Sequence, residues 1–231
     1  MIELSIIIVN YNTVETLKKC ISSIYEYLQD IKYEIIIVDN HSTDGSQKIL
    51  EDNYPEISFI QLIENMGYSY ANNQGIEVSN GKYLLFLNPD TYFIDNSMKN
   101  LLEFMNNIPT CGAVGPLIVD EKGKMQTSSF RFPDIKQQIL YSFHYSTQLR
   151  KEGISVKQKK CISKEIPFDV DWLSGACLLV RKSIIIEYGR FDENYHLYGE
   201  DVDLCKNIKH AGWNIYCIPN ANIVQIGGVV S

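Results

Sequence analysis

Two runs, Ser5-Ile6-Ile7-Ile8-Val9 and Glu34-Ile35-Ile36-Ile37-Val38, constrain this chain more than any other feature. Neither alternates apolar with polar residues, so each reads as a strand covered on both faces, the condition of a buried parallel sheet. Between and after them the pattern switches to helical spacing and back. Strands are expected over Leu4–Val9, Tyr33–Val38, Ile57–Leu62 and Tyr83–Leu87, with helices over Thr13–Leu28, about 44–53 and 67–78. Such alternation implies crossover helices on a parallel sheet. Asn12 is the candidate N-cap of the first helix, with Glu15 three residues on.

Open sheets of this kind bind ligands beyond the carboxyl ends of their strands. Those ends are polar here: Asn10-Tyr11-Asn12, Asp39-Asn40 and Asn88-Pro89-Asp90. An isolated Asn-Pro-Asp reads first as an ordinary turn. Three polar ends on neighbouring strands read as a site.

The second half is less regular. Short strands are expected over 111–133, with a hairpin at Asp120-Glu121-Lys122-Gly123, followed by a polar and aromatic stretch over 134–168. In YGEDVDLCKNIKHAG, the residues Val202, Cys205, Ile208 and Ala211 recur at helical spacing, and Gly212 stands at the C-terminal end. Glu200 and Asp201 then open a helix, where carboxylates are favoured by the macrodipole. That makes helix capping with a solvated acidic turn the alternative to any chemical role.

Composition excludes several classes. The longest early apolar run, Ile6 to Val9, is far below the roughly 20 residues of a membrane span, and no cationic stretch precedes it. The expectation is a chain without signal peptide or membrane helix. Six scattered cysteines without a C-x-x-C pair suggest free thiols in a reducing cytosol. A net charge of −7 argues against a nucleic-acid partner. The basic run from Arg150 to Lys164 reads as a solvated loop or, alternatively, a contact with anionic membrane or phosphate. His41, His144, His196 and His210 show no metal-ligand spacing. No linker or repeat divides the chain, so residues 1–231 are expected to form a single domain.

The series VNYN (9–12), VDNHSTDGS (38–46), ENMGYSYANNQG (64–75), LNPD (87–90), WLSGACLLVRK (172–182) and YGEDVDLC (198–205) resembles, in order, the motifs of the family 2 glycosyltransferases, in a rhamnosyltransferase-like branch. The resemblance implies an α/β GT-A fold, with a Rossmann-like, mostly parallel central sheet flanked by helices and a smaller acceptor-side region. Residues 1–110 would bind the nucleotide-sugar and 111–231 would carry the acceptor side and the base.

It further implies inverting transfer of a sugar from a UDP- or dTDP-sugar to an acceptor hydroxyl, in bacterial cell-surface polysaccharide synthesis. Val9, Asn10, Asn12 and Asp39 would hold base and ribose, and Asn65, Gly67, Asn72 and Asn88 would line the donor pocket. Asp90 would carry a divalent cation, Mg²⁺ or Mn²⁺, on the diphosphate. Asp201 would be the general base, with Glu200 beside it, and Trp172, Gly175 and Ala176 would shape an acceptor or donor-sugar subsite. Trp172 reads equally as a core residue.

The implied acceptor is a saccharide or lipid-linked saccharide, met in the cytoplasm at the inner face of the plasma membrane through a peripheral contact.

The pattern breaks at one place. Where the branch carries histidine in H-x-G-G, this chain has Gln225 before Gly227-Gly228. An amide carbonyl suits a hard cation better than a borderline one, so the residues allow either a site resting on Asp90, phosphates and water, or a weakened enzyme. The chain ends at Ser231, where relatives continue with helices, which suggests a module of a longer protein. Two alternatives follow: a sugar-nucleotide-binding module without turnover, or a nucleotidyltransferase. The second lacks a Gly-rich basic loop after the first strand.

Overall fold

The computed structural model describes residues 2–132 and 156–227. In chain order its elements are β1 (Leu4–Asn10), α1 (Val14–Tyr27), β2 (Tyr33–Asp39), α2 (Ser46–Asn53), β3 (Ser58–Gln61), α3 (Tyr68–Val78) and β4 (Tyr83–Leu87). There follow β5 (Thr91–Phe93), α4 (Ser97–Asn107), β6 (Cys111–Val119), β7 (Met125–Gln126) and β8 (Ser129–Phe130). The last are α5 (Val156–Ser163), β9 (Phe168–Val170), β10 (Trp172–Leu173), β11 (Cys177–Arg181), α6 (Lys182–Tyr188), α7 (Glu200–His210) and β12 (Asn214–Gln225).

The main sheet runs β3-β2-β1-β4-β11-β6-β12-β5, with β7 on β6 and β9 on β12. Strands β3, β2, β1 and β4 are mutually parallel. β11 enters antiparallel between β4 and β6, and β12 lies parallel to β6. The sheet therefore joins the two halves of the chain through β4 and β11.

Why β1 and β2 read as continuous apolar runs is visible in their burial. Ile6, Ile8, Ile35 and Ile37 face one core with Leu17, Ile21 and Ile24 of α1 and Leu101 and Met105 of α4. Ile7, Ile36 and Val38 face a second core with Ala71 and Ile76 of α3, Ile184 of α6, and Leu204 and Ile208 of α7. Each such side chain contributes about 1.5–3 kcal/mol on burial, so either face left open would destabilise the strand.

Two expectations need correction. Asn12 does not cap α1: its φ is 55°, and Thr13 holds the cap position without a side-chain bond. The first free N–H of the helix, at Val14, is instead met by Asp44 Oδ2 at 2.9 Å, while Asn12 Oδ1 accepts from the Thr43 N–H at 2.8 Å. The cap arrives from the loop after β2. Residues 111–119 are likewise not a short strand but nine residues in the sheet interior. The hairpin at 120–123 forms as expected, with Asp120 N–H bonded to the Lys124 carbonyl at 2.9 Å.

No helix among the described residues is long and apolar enough to cross a membrane. All six cysteines are free thiols. Of the basic run, residues 150–155 lie outside the described residues, as does most of 134–168.

Candidate active site

The parallel register sets Asn10 directly opposite Asp39 at the carboxyl ends of β1 and β2. Asn10 Nδ2 donates to Asp39 Oδ2 at 2.7 Å, and Asp39 Oδ1 accepts from the Ser42 N–H at 2.7 Å and Gln61 Nε2 at 2.9 Å. Asp39 is fully buried. It organises the loop after β2 as well as the strand end.

Asn40 continues the ladder: its Nδ2 donates to Asn65 Oδ1 at 2.8 Å and its Oδ1 accepts from the Met66 N–H at 2.9 Å. The Val9 side chain is in the core with Ile7 and Val38, and Asn72 is buried inside α3, donating to the Tyr68 carbonyl at 3.0 Å. Of the proposed nucleotide-side residues, Asn10 and Asp39 are bonded to each other and fully buried, as Val9 and Asn72 are buried, while Asn65, tied to Asn40, and Asn12 stand exposed.

Gly67 starts α3 at φ +87°, a conformation costly for any residue with a Cβ. An added Cβ would lie 2.6 Å from His196 Nδ1 and 2.7 Å from its carbonyl oxygen. That carbonyl also accepts from the Tyr68 N–H at 2.9 Å, so the loop before α7 is seated on the start of α3. Gly67→Ala is expected to destabilise by about 2 kcal/mol or more, from strain plus collision. Thermal unfolding checks this: an unchanged Tm would mean that the 196 loop is not seated there.

Asn88-Pro89-Asp90 is held on every side. The Asn88 N–H donates to the Ala176 carbonyl at 3.0 Å, its own carbonyl accepts from Thr91 Oγ1 at 2.6 Å, and its Oδ1 accepts from the Tyr68 hydroxyl at 3.1 Å. Tyr68 also reaches the Gly175 carbonyl at 3.3 Å. Asp90 is thereby fixed, and the C-terminal strand closes over it. The Asp90 carbonyl accepts from the Ile226 N–H at 2.8 Å, and Gln225 Nε2 donates to its carboxylate at 3.2 and 3.4 Å. Burial raises the proton affinity of Asp90 above the usual carboxylate range, and the Gln225 bond works against that rise.

At the other wall, Glu200 and Asp201 open α7. Asp201 Oδ2 accepts from the Gly175 N–H at 3.0 Å and Oδ1 from the Val202 N–H at 2.8 Å. Burial raises the pKa of Asp201, with those two N–H bonds opposing. Glu200 is only 6% exposed, and its Oε2 has no hydrogen-bond partner among the described residues. Burial raises its pKa, and the neighbouring Asp201 charge adds to the rise.

These walls enclose a cleft of about 450 Å³ lined by Asp90, Glu200, Asp201, Tyr68, Asn88, Trp172, Gly175, Ala176 and Gln225, among others. Trp172 is half-buried against the second core, stacked on Phe130 at 3.9 Å between centroids, and lines the cleft. The cleft carries three carboxylates, and no lysine, arginine or histidine lines it among the described residues. A neighbouring cavity of about 560 Å³ shares Thr127, Phe130 and Gln225 with it and carries Lys122 and Lys124.

Tyr68 and the 195–199 loop are the parts that reading the sequence missed. Tyr68, Tyr198 and Gly199 lie inside the motifs given above and residues 195–197 outside them, and Tyr68 reaches Gly175, more than 100 positions away.

A cleft with three carboxylates and no cation would repel a diphosphate, so a divalent cation suits it. The residues present fit: Mg²⁺ is commonly held by one or two carboxylates together with substrate phosphates and water. Asp90 would supply the carboxylate, and Gln225 a carbonyl with its amide turned over. No group of three His, Cys, Asp or Glu side chains forms a metal cluster among the described residues.

Among known proteins, the chain is similar to N-acetylglucosaminyl-diphospho-decaprenol L-rhamnosyltransferase of Mycobacterium tuberculosis, at 31% identity over 203 residues. That match covers 83% of this chain and 66% of the relative, so the chain spans about two thirds of that protein's length. It is also similar to rhamnosyltransferase WbbL of Escherichia coli, 26% identical over 93% of this chain and 80% of that protein.

Among solved structures, GalNAc-T7 with UDP, GalNAc and Mn²⁺ aligns with a TM-score of 0.73 at 17% identity, over all of this chain and 45% of the other. Mannosyltransferase PcManGT from Pyrobaculum calidifontis, in complex with GDP-Man and Mn²⁺, aligns at 0.67 and 17%, over 99% and 58%. These place the fold as GT-A. With the glycosyl transferase family 2 model matching residues 5–189, most of its length, the chain belongs to that family.

Proposed function

We propose that this chain transfers a sugar, with inversion, from a UDP- or dTDP-sugar to a hydroxyl of a saccharide or lipid-linked saccharide acceptor. The setting is cell-surface polysaccharide synthesis at the cytoplasmic face of the membrane. The observation that carries the reading is the cleft itself. Asp90 from one half of the chain and Asp201 from the other share it, on opposite walls joined by Tyr68, Asn88 and Gly175. Rhamnosyl transfer to a lipid-diphosphate-linked N-acetylglucosamine, the activity named for the mycobacterial relative, fits this arrangement.

Asp201 acts as the general base. Two backbone N–H groups orient its carboxylate, and burial makes it a stronger proton acceptor than a solvated aspartate. An acceptor hydroxyl is far too weak an acid to attack unaided, and a positioned base typically contributes 10²–10⁴-fold. Attack on the anomeric carbon from the face opposite the leaving diphosphate gives inversion in one displacement. No covalent intermediate on a second carboxylate is then required.

Asp90 and the Gln225 carbonyl would hold the divalent cation, which when bound neutralises charge on the leaving diphosphate. Asn10, Asp39 and Asn40 would brace from beneath the strand ends over which base and ribose would lie, with Asn65 and Asn12 exposed beside them and Gly67 seating the 196 loop. Trp172, Gly175 and Ala176 form the wall of the sugar subsite.

The test is turnover of a panel of UDP-, dTDP- and GDP-sugars with Mg²⁺ or Mn²⁺. Binding with no turnover of any donor would favour the second reading, a sugar-nucleotide-binding module. Gln225 specifically favours that reading, because its amide now donates to the carboxylate that would hold the cation.

The contact between Gln225 and Asp90 makes a further outcome testable. Gln225→His sets an imidazole beside Asp90, which favours a transition metal over Mg²⁺. Mn²⁺-dependent binding of UDP or dTDP, followed by calorimetry, should tighten about tenfold, or about 1.4 kcal/mol. No change in metal preference or affinity would remove position 225 from the cation site.

A further inference from the structure

The loop that seats on Gly67 ends in Leu197-Tyr198-Gly199, immediately before Glu200 and Asp201, and all three residues line the cleft. Tyr198 has a φ of +67°, and it is the bulkiest of the four described non-glycine residues with positive φ. A bulky side chain in that region is a true outlier, because its Cβ crowds the following carbonyl. Such strain persists where something else depends on it.

Packing among the described residues does not account for it. Tyr198 is 69% exposed, stacks on no other ring, and its hydroxyl makes no hydrogen bond among the described residues. The next residue, Gly199, is also left-handed, at φ +97°, and an added Cβ there would press on the Tyr195 ring at 3.0 Å. The loop therefore holds a large aromatic side chain outward at the mouth of the cleft, three residues from the base. Across the same cleft, Trp172 has one ring face taken by Phe130.

We infer that Tyr198 is a binding platform for the pyranose ring of the acceptor saccharide, a specificity-determining contact at the cleft mouth. The C–H groups on one face of a pyranose are weakly positive and apolar, and they fit the negative face of an aromatic ring. The acceptor suits this place better than the donor does. It is the acceptor hydroxyl that must reach Asp201, and the rest of a saccharide or lipid-linked chain must leave through the open side. The donor's nucleotide instead extends over the strand ends at Asn10 and Asp39, beside the exposed Asn65. This inference rests on the transferase reading above for the identity of the bound sugar.

The experiment compares wild type, Tyr198→Phe and Tyr198→Asn. Each is titrated with methyl glycosides of N-acetylglucosamine, glucose and rhamnose by saturation-transfer NMR, in the presence of UDP and Mn²⁺, and each is melted alone. Asparagine adopts left-handed backbone far more readily than tyrosine, so Tyr198→Asn should relieve the strain and raise Tm by about 2 °C. The same variant should bind the preferred glycoside about tenfold more weakly, one well-placed aromatic contact being worth roughly that factor. Tyr198→Phe, which keeps the ring, should bind within about threefold of wild type.

Equal binding by Tyr198→Asn, a fall in its Tm, or no glycoside bound by the wild type would each overturn the platform. Wild-type glycoside binding without transfer from any donor would overturn the transferase reading alone.

Discussion

Asp201→Asn is expected to lower turnover by about 10²-fold or more while leaving donor binding nearly unchanged. The amide keeps the shape of the carboxylate and can still accept from the Gly175 N–H, but it cannot take a proton from the acceptor.

Stability should move the other way. The folded state holds a proton on Asp201 more tightly than the unfolded chain does, because burial raises its pKa. The folded state therefore binds more protons between the two pKa values, and stability falls as pH rises through that window. At pH 7 the ionised carboxylate opposes folding, so the asparagine variant should melt no lower than wild type. Any advantage should shrink as pH falls below the folded-state pKa and vanish below the unfolded-state value, where the carboxyl is neutral in both states. The acid limb of kcat/KM should correspondingly lie above the ordinary aspartate range. Wild-type rates in Asp201→Asn would remove Asp201 as the base.

Asp90→Ala carries the second large effect. It should abolish the metal-dependent part of UDP or dTDP binding and leave binding of the bare nucleoside largely unaltered, because the carboxylate acts on phosphate only through a cation. Without it the cleft retains Glu200 and Asp201 and gains no positive charge, so bringing in the diphosphate is unfavourable. Calorimetric titration with and without Mn²⁺ reads the difference directly. A metal enhancement that survives the substitution would take Asp90 out of the cation site. Since burial raises the pKa of Asp90, removing its charge should not destabilise the fold at neutral pH.

The parts of the fold that could be read from sequence are those where one physical requirement acts alone. Strand β4 lies at Tyr83–Leu87 as expected, because both its faces are covered and nothing polar interrupts it. The helix from Glu200 to His210 ends with Gly212 in left-handed conformation just beyond it, again as the spacing predicts.

The full length of strand β6 was not legible, only short strands being expected there, because it contains Gly112, Gly115 and Pro116, which ordinarily break strands. In the structure an added Cβ at Gly112 would lie 2.7 Å from Trp213 Cβ, so the glycine serves a close approach. Pro116 sits where the pairing with β12 slips between Ile218 and Asn222, a bulge that tolerates a missing donor. Both are tertiary circumstances that no local pattern encodes.

The site divides along the same line. Asp39, Asp90 and Asp201 stand at element ends where chemistry-bearing residues are expected, and Asp90 and Asp201 do meet in one cleft. Two of the three polar strand ends also meet, through the pairing of Asn10 with Asp39, while Asn88 and Asp90 line the cleft without them. What could not be read is the connection between walls. The Tyr68 hydroxyl joins Asn88 and Gly175 from inside a helix whose spacing gives no hint of it. The cap of α1 was misplaced because its acceptor, Asp44, comes from 30 residues further along the chain.

The central claim is a single displacement run by one carboxylate base, and the stereochemistry of the product tests it most directly. Proton NMR of the anomeric signal of the newly formed glycosidic linkage, made from whichever nucleotide-sugar the panel identifies, reads the configuration directly. The expected product has the anomeric configuration opposite to that of the donor. Retention of configuration would require a second nucleophile or a different reaction path, and would contradict the role given to Asp201.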